Sequence, residues 1–230
     1  MRASTSTSLG FDVEGAGRVS ALLDLPDGAR ACYVFAHGAG VGMTHAFMQA
    51  TADGLAQRGI ASLRFQFPSM ERGSRRPDTP RVARAAVRAA VATATSTGLP
   101  LFAGGKSFGG RMTSQAQALT PLPGVRGLAF FGFPLHPADK PSIERAEHLD
   151  GVAWPMLFLQ GTRDELAEVG LVRAVTDRLG SRATLALFDD ADHAFHVRRS
   201  SGRNDVQLLD LALDTAVSWI DAVLAGPGAN

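Results

Sequence analysis

Short apolar runs alternate with helix-like segments along most of this 230-residue chain, and no other feature limits its fold as strongly. The runs are continuous rather than two-fold periodic, which is typical of strands buried on both faces of a parallel sheet. They span residues 31–36, 60–67, 99–103, 125–131, 156–159 and 183–188. Ahead of them, residues 11–13 and 18–25 flank a turn-forming segment at 14–17 and predict a hairpin. The alternation predicts an α/β fold with a mostly parallel sheet and helices on both faces.

Helix start and stop residues mark the segments between these strands. Segments 44–58 and 165–179 each end before a glycine, and segment 80–95 opens on a proline. In the C-terminal segment, apolar residues recur on one helical face, at Val206, Leu209, Leu213, Val217, Ile220 and Leu224. The interval between the strands 125–131 and 156–159 could hold at most a short helix or a small lid. We therefore expect little or no cap over the functional site.

The length of the chain fits a single domain, which we place at residues 11–225 between flexible tails at 1–10 and 226–230. A domain of this size needs neither a metal nor a disulfide for stability, and we expect no cofactor. The single cysteine, Cys32, lies in an apolar run and is expected to be a buried thiol. Because a lone cysteine cannot form an internal bridge and the first ten residues contain no apolar signal core, we expect a cytoplasmic protein.

Charge and hydropathy exclude two classes of partner. The formal net charge of +1 and the pI near 8.0 provide no general attraction to nucleic acid. No uninterrupted apolar stretch reaches the length of a membrane span. The expected partner is a small molecule, and no oligomeric interface is indicated.

A G-x-S-x-G pattern, Gly105-Lys106-Ser107-Phe108-Gly109, lies between the strand-like run 99–103 and a helix-forming segment at 111–119. A serine hydroxyl becomes an effective nucleophile when a sharp strand-to-helix turn exposes it and a base takes its proton. Side chains at the two glycine positions would collide with neighbouring backbone in such a turn. The turn also directs the amide of the residue after the serine, Phe108, toward an oxyanion.

The same letters allow a nucleotide-binding alternative, because Gly-Lys-Ser can end a phosphate-binding loop. That loop requires a glycine five positions before Gly105, where this chain has Pro100. We therefore favour the nucleophile over the phosphate loop.

A second oxyanion donor is expected in the loop that follows the strand 31–36. Its sequence, His37-Gly38-Ala39-Gly40, is small enough for the Ala39 amide to approach a substrate oxygen. The alternative is a simple glycine turn that leads into a helix.

The loops after the last two strands supply an acid and a base. Asp164 follows the run 156–159 and could orient a catalytic imidazole, or it could cap the following helix. His193 follows the run 183–188 and is the expected general base, with His196 as its rival. Two histidines three residues apart among aspartates also suggest a metal site, but no third convergent ligand is evident and we expect none. The chain order serine, aspartate, histidine is that of α/β-hydrolases.

Further candidates for substrate contact follow other strands. Arg72, Arg75 and Arg76 come after the run 60–67, where a guanidinium could hold a carboxylate or phosphate. His136 comes after the run 125–131, and its alternative is an ordinary loop histidine. His37 is the remaining candidate.

Taken together, these segments resemble an α/β-hydrolase of the dienelactone-hydrolase-like group. Within that group the chain is similar to the subfamily of testis-expressed protein 30 and the third regulatory subunit of the NSL acetyltransferase complex. The matching segments are residues 36–40, 65–68, 104–111, 132–137, 161–164 and 191–195. The resemblance implies the eight-stranded hydrolase sheet and a catalytic triad of Ser107, Asp164 and His193. Dienelactone hydrolases themselves use a cysteine nucleophile, so their lactone substrate is not implied.

The function expected from these residues is a serine hydrolase that cleaves a small ester, thioester or related acyl compound through an acyl-enzyme. The alternative is a binding or scaffold protein that retains the hydrolase fold without catalysis, since fold does not fix function.

Overall fold

A computed structural model describes residues 6–226, and within them the chain forms one mixed sheet of eight strands in the order β1-β2-β4-β3-β5-β6-β7-β8. The strands are β1 Thr7–Val13, β2 Gly17–Asp24, β3 Ala31–Ala36, β4 Ile60–Phe65, β5 Leu101–Lys106, β6 Val125–Phe131, β7 Met156–Gly161 and β8 Ala183–Phe188. Strand β2 pairs antiparallel with both β1 and β4, and every other pairing is parallel. The predicted α/β fold and its mostly parallel sheet are confirmed.

Helices cover both faces of this sheet, as predicted. They are α1 Ala46–Gln57, α2 Pro68–Glu71, α3 Pro80–Ala94, α4 Phe108–Leu119, α5 Val169–Leu179 and α6 Asp205–Ala225. Helices α1 and α6 pack on one face, and α3, α4 and α5 pack on the other.

Two hydrophobic clusters, one on each face, hold the central strands in place. Every residue of β3, β4, β5 and β7 is buried, and Phe35, Phe102 and Phe130 have no exposed surface. Burying one such side chain contributes about 1.5–3 kcal/mol before the entropy cost of ordering the chain is subtracted. The carboxyl ends of these strands are therefore fixed points from which the functional loops emerge.

The N-terminal hairpin is longer than the sequence predicts. Strand β1 begins at Thr7 and pairs residue by residue with β2, so residues 7–10 belong to the sheet rather than to the predicted tail at 1–10. The Ser/Thr-rich composition obscures a two-fold alternation in which Leu9, Phe11 and Val13 pack toward the core. The other residues of the predicted tails, 1–5 and 227–230, lie outside the described residues.

Several predicted boundaries shift by a few residues. Strand β4 ends at Phe65, and two residues separate it from Pro68, which opens α2. Strand β5, in contrast, continues through two glycines to Lys106. Helix α5 begins at Val169, since residues 164–167 form a turn first. In α6, Val206 is 72 % exposed, and the buried face begins at Leu208 instead.

The connection between β6 and β7 contains a 3-10 segment, Glu144–Gly151, and no further helix. This segment packs beside α4 and leaves the carboxyl ends of the strands uncovered by a cap. Among residues 6–226, no helix combines the length and apolar character needed to cross a membrane.

Candidate active site

Ser107 lies at the sharp turn between β5 and α4. Its backbone has φ 51° and ψ −116°, a left-handed φ that costs a non-glycine residue free energy. The buried strand on one side and the helix on the other hold the residue in this conformation. The turn leaves Oγ projecting above the end of the sheet, which is the geometry of a nucleophile elbow.

The glycines on either side of Ser107 are required by close backbone contacts. A Cβ on Gly105 would collide with the carbonyl oxygen of Ala36 and would stand 2.8 Å from the carbonyl carbon of Gly109. A Cβ on Gly109 would collide with the same Ala36 oxygen and would stand 2.6 Å from the His37 oxygen. The end of β3 therefore touches the elbow on both sides, and larger residues would force the strands apart.

The hydroxyl, imidazole and carboxylate that the sequence singles out form one hydrogen-bonded chain. The Nε2 atom of His193 lies 2.8 Å from Ser107 Oγ, and its Nδ1 atom lies 2.7 Å from Asp164 Oδ2. The Asp164 side chain has no exposed surface, whereas a quarter of the His193 side chain is accessible. A proton can thus pass from the serine to a reachable imidazole that a buried negative charge supports.

Further hydrogen bonds fix the Asp164 carboxylate. Its Oδ1 atom accepts from the Leu166 amide at 2.8 Å, and its Oδ2 atom also accepts from the Gln160 side-chain amide. Gln160 is fully buried in β7, and its Oε1 atom accepts from the Phe133 amide at 2.9 Å. Gln160 was not recognised from the sequence, although an amide directly after the apolar run 156–159 was a usable signal, because buried polar groups need partners.

The loop that carries His193 is shaped by its acidic neighbour. Asp192 Oδ1 accepts from the amides of Ala194 and His196 at 2.8 and 2.9 Å. Asp192 therefore stabilises the turn and is not part of the hydrogen bonds that link the serine, the imidazole and the carboxylate. The rival base, His196, bonds Asp205 at 2.7 Å and is largely exposed. The structure therefore places His193, and not His196, beside the serine.

Two backbone amides are free to bind a substrate oxygen. Phe108 begins α4, and its amide is among those left without a carbonyl partner at a helix N-terminus. In the described part of the chain, neither the Phe108 amide nor the Ala39 amide donates a hydrogen bond. The helix dipole adds positive potential at the same point.

A cavity of about 410 Å³ opens beside Ser107. Its wall is mostly apolar and is formed by Gly38, Ala39, Val41, His45, Phe47, Met48, Lys106, Ser107, Leu166, His193 and Ala194. The volume suits a small organic molecule.

A family model described as an alpha/beta hydrolase domain matches residues 29–221 of the chain, which takes in every element from β3 to most of α6. The chain belongs to this alpha/beta hydrolase family.

Solved structures of other α/β hydrolases superpose on almost the whole chain. Dienelactone hydrolase from Anabaena variabilis has a TM-score of 0.76 at 20 % identity, with 96 % of this chain and 99 % of that chain covered. A serine hydrolase without a lid from Xanthomonas campestris has a TM-score of 0.72 at 22 % identity, covering 95 % and 97 %. The esterase domain of a Rhodothermus marinus protein has a TM-score of 0.69 at 18 % identity, covering 94 % and 97 %. At these identities the likeness establishes the fold.

Two histidines expected to contact the substrate are instead buried in the hydrolase scaffold. His37 is 1 % exposed, with Nε2 accepting from the Phe67 amide at 3.0 Å and Nδ1 lying 2.7 Å from the Gly38 oxygen. Burial lowers the pKa of His37 to about 4. His136 is also 1 % exposed, and its Nε2 atom accepts from the Glu168 amide at 3.3 Å. Both rings tie loops together, and neither lines the cavity.

The arginines that follow β4 also lie away from the cavity wall. Arg72 pairs with Asp78 at 3.5 Å, and the side chains of Arg75 and Arg76 are exposed. The carbonyl of Arg75 would be 3.6 Å from a Cβ on Gly40, so this segment flanks the Ala39 loop from outside. Loop sequence alone did not reveal that these side chains turn toward solvent. The cavity residues His45, Phe47 and Lys106 were not identified from the sequence.

Proposed function

We propose that this α/β hydrolase is a serine hydrolase that cleaves small carboxylic esters, thioesters or related acyl compounds. The observation that carries the proposal is the chain of 2.8 and 2.7 Å contacts that joins Ser107, His193 and Asp164 at the mouth of the cavity. A strained serine, a supported imidazole and an adjoining cavity together are what acyl transfer requires.

In the proposed reaction, Ser107 Oγ attacks the substrate carbonyl while its proton moves to His193 Nε2. The tetrahedral intermediate collapses when the same proton passes to the leaving alcohol or thiol, and the acyl group stays on Ser107. A water molecule then attacks the acyl carbonyl while one of its protons moves to His193 Nε2. The acid is released when that proton passes to Ser107 Oγ. Asp164 holds the imidazole in the tautomer that presents Nε2 to the serine and stabilises the imidazolium.

The oxyanion of the tetrahedral intermediate is proposed to bind the amides of Phe108 and Ala39. Support comes from the absence of another acceptor for either amide among residues 6–226. Donors fixed in advance stabilise developing charge without reorganisation, and one such donor is worth about 2.7–4 kcal/mol of transition-state free energy.

The cavity wall favours an uncharged acyl group of small or moderate size. Val41, Phe47, Met48 and Leu166 present apolar surface to the site, and the arginines considered for anion binding do not line it. An anionic substrate would lose its hydration in such a pocket without gaining a guanidinium partner, and the Lys106 ammonium in the wall already donates to the His193 carbonyl.

A panel of p-nitrophenyl esters and matching thioesters from two to eight carbons, together with half-esters of dicarboxylic acids, tests this proposal. We expect kcat/KM for esters with uncharged acyl groups to be at least tenfold higher than kcat/KM for half-esters of equal length. We also expect kcat/KM to fall on acidification, since an imidazole, whose ordinary pKa is about 6.5, must be neutral to accept the serine proton.

Two results would redirect the proposal. If the enzyme preferred half-esters, Arg72, Arg75 or Arg76 would again be candidates for binding the substrate carboxylate. Absence of turnover and of covalent labelling in folded protein would favour the alternative of a scaffold that keeps the hydrolase fold. Membership of the subfamily of testis-expressed protein 30 and the NSL subunit, and a cytoplasmic location, remain predictions from the sequence.

A further inference from the structure

Lys106, the residue before Ser107, is a buried cation at the end of β5. The residue is 9 % exposed, and its Nζ atom donates a hydrogen bond to the backbone carbonyl of His193. The chain has one other lysine, Lys140, against twenty-one arginines. The residue next to the proposed nucleophile therefore carries a compact ammonium, although almost all the basic side chains of this chain are guanidinium groups.

The surroundings of the ammonium place it behind the imidazole of His193. Its Nζ atom lies 5.4 Å from the ring centre of Phe195 and 5.7 Å from that of Phe47. A Cβ on Gly132 would stand 2.9 Å from Nζ and 3.4 Å from His193 Nδ1, so Nζ and Nδ1 face the same small space. Two aromatic faces and one carbonyl thus hold the charge close to the His193–Asp164 contact.

Keeping a cation here is costly, which argues that it has a function. Burial lowers the pKa of Lys106 to about 8, although Asp164 and Asp192 act in the opposite direction. Most of the lysine is therefore charged at neutral pH. An apolar side chain of the same length would fill the space between the rings without the cost of desolvating a charge.

We propose that Lys106 is a positioning residue for the reaction: its ammonium holds the His193 carbonyl so that Nε2 stays over Ser107, and its charge opposes protonation of that imidazole. This inference rests on the proposed serine hydrolase function. The Asp164 carboxylate favours the imidazolium, whereas a positive charge on the same side of the ring disfavours it.

Other titratable groups that face this region come from the loops after β7 and β8, from the residue before α1 and from the start of α6. Asp164 follows β7, and Asp192 lies in the His193 loop with its Oδ1 atom bonded to backbone amides. His45 precedes α1 and lines the same cavity, and its Nδ1 atom accepts from the Phe47 amide at 3.3 Å. His196 and Asp205 pair with each other at the exposed end of the loop. A change in pH dependence must therefore be assigned by substitution.

The variant Lys106→Met removes the charge and the donor but keeps the apolar stem, and exposed Lys140→Met is its matched control. We expect Lys106→Met to lower kcat about tenfold with KM changed less than twofold. We also expect the acid limb of its kcat/KM profile to move to higher pH by half a unit or more. Lys106→Arg keeps a charge, so its acid limb should stay within 0.2 of the wild-type pH even where imperfect fit lowers kcat.

Because the chain contains two lysines, NMR of protein labelled at lysine Cε gives two titrating signals in the unmodified enzyme. One should titrate near pH 8 and disappear in Lys106→Met.

The inference is overturned if Lys106→Met retains the wild-type kcat and acid limb, or if the signal that this variant removes titrates near the ordinary lysine pKa of about 10.4. It also fails if Lys106→Arg shifts the acid limb as far as Lys106→Met does, since loss of charge would then not be the cause. A wild-type enzyme without turnover or labelling refutes the proposed function itself, and that outcome is distinct from an active enzyme that is indifferent to position 106.

Discussion

Two serine–histidine hydrogen bonds of similar length, one at the start of α4 and one within the helix, differ in backbone geometry and in electrostatic surroundings. Ser107 Oγ lies 2.8 Å from His193 Nε2 where the helix begins, and Ser114 Oγ lies 2.7 Å from His148 Nε2 two turns later. Ser114 has ordinary helical surroundings and also donates to the Arg111 carbonyl at 2.9 Å. Its single hydroxyl proton is thereby engaged, so His148 acts as the donor and not as a base.

The electrostatic surroundings of the two imidazoles are also opposite. His193 has the Asp164 carboxylate at 2.7 Å, whereas His148 lies near Arg84 and Arg111. Burial, followed by these two positive charges, lowers the pKa of His148 to about 4. Such an imidazole cannot accept a proton usefully at neutral pH. A short serine–histidine contact is therefore not enough to predict a nucleophile. The strained turn, the carboxylate and the free amides are what distinguish Ser107, the proposed nucleophile.

The largest difference between the two pairs should appear when each serine is replaced. We expect Ser107→Ala to lower kcat by roughly 10⁶-fold, as loss of a triad serine does elsewhere. We expect Ser114→Ala to leave kcat within twofold and to reduce the unfolding free energy by about 1 kcal/mol, because one hydrogen-bonded hydroxyl is lost. Ester hydrolysis and urea unfolding measure the two effects. Equal losses of activity would show that the second pair takes part in the reaction.

Replacing the carboxylate that distinguishes the first pair should give the next largest effect. We expect Asp164→Asn to lower kcat by about 10⁴-fold, since an amide does not hold the required tautomer or stabilise the imidazolium. Asp205→Asn is the matched control, because Asp205 bonds His196 at the same distance of 2.7 Å but in an exposed position. Its kcat should stay within twofold. A strong effect at Asp205 would transfer the role of base to His196.

The pair of Ser114 and His148 should instead affect how the unfolding free energy depends on pH in acid. His148 must become protonated when the protein unfolds at low pH, because its folded pKa of about 4 lies below the ordinary value of 6.5. Unfolding free energy should therefore fall as pH drops from about 6.5 to 4, with His148 contributing about 2–3 kcal/mol of that loss. Above pH 6.5 the imidazole is neutral in both states and contributes no pH dependence.

The variant His148→Gln isolates this contribution, since glutamine can still donate to Ser114 but does not titrate in this range. Urea unfolding at pH 4.5 and pH 7.5 should show a smaller difference in unfolding free energy for the variant than for the wild type. His37, whose pKa burial also lowers to about 4, should account for a similar share of the remaining loss. Identical pH dependence in the variant and the wild type would contradict the burial assigned to His148.

The sequence revealed the parts of this molecule that depend on local pattern. Continuous apolar runs identified the buried strands, and Ser107, Asp164 and His193 stood out because each follows a strand whose carboxyl end meets the others at one edge of the sheet. The order in which the strands pair was not readable, since apolar strands carry little information on their neighbours.

Side-chain direction was the main thing that the sequence did not disclose. His37 and His136 lie at the catalytic end of the sheet, as expected, but their rings turn inward and bond loop amides. Gln160 and Lys106 went unrecognised because their roles depend on contacts with Phe133 and His193, which are distant in the chain. Ser114 and His148 gave no motif at all, since their contact depends on how a 3-10 segment packs beside α4.

The proposed role of Ser107 as an activated nucleophile can be tested by mapping the site of fluorophosphonate attachment. Native protein is treated with the probe and digested, and its modified peptide is identified by mass spectrometry. We expect one adduct, on Ser107, that forms rapidly at neutral pH, is absent in Ser107→Ala and persists in Ser114→Ala. An adduct on Ser114, or none on folded wild-type protein, would contradict the assignment of Ser107 as an activated nucleophile.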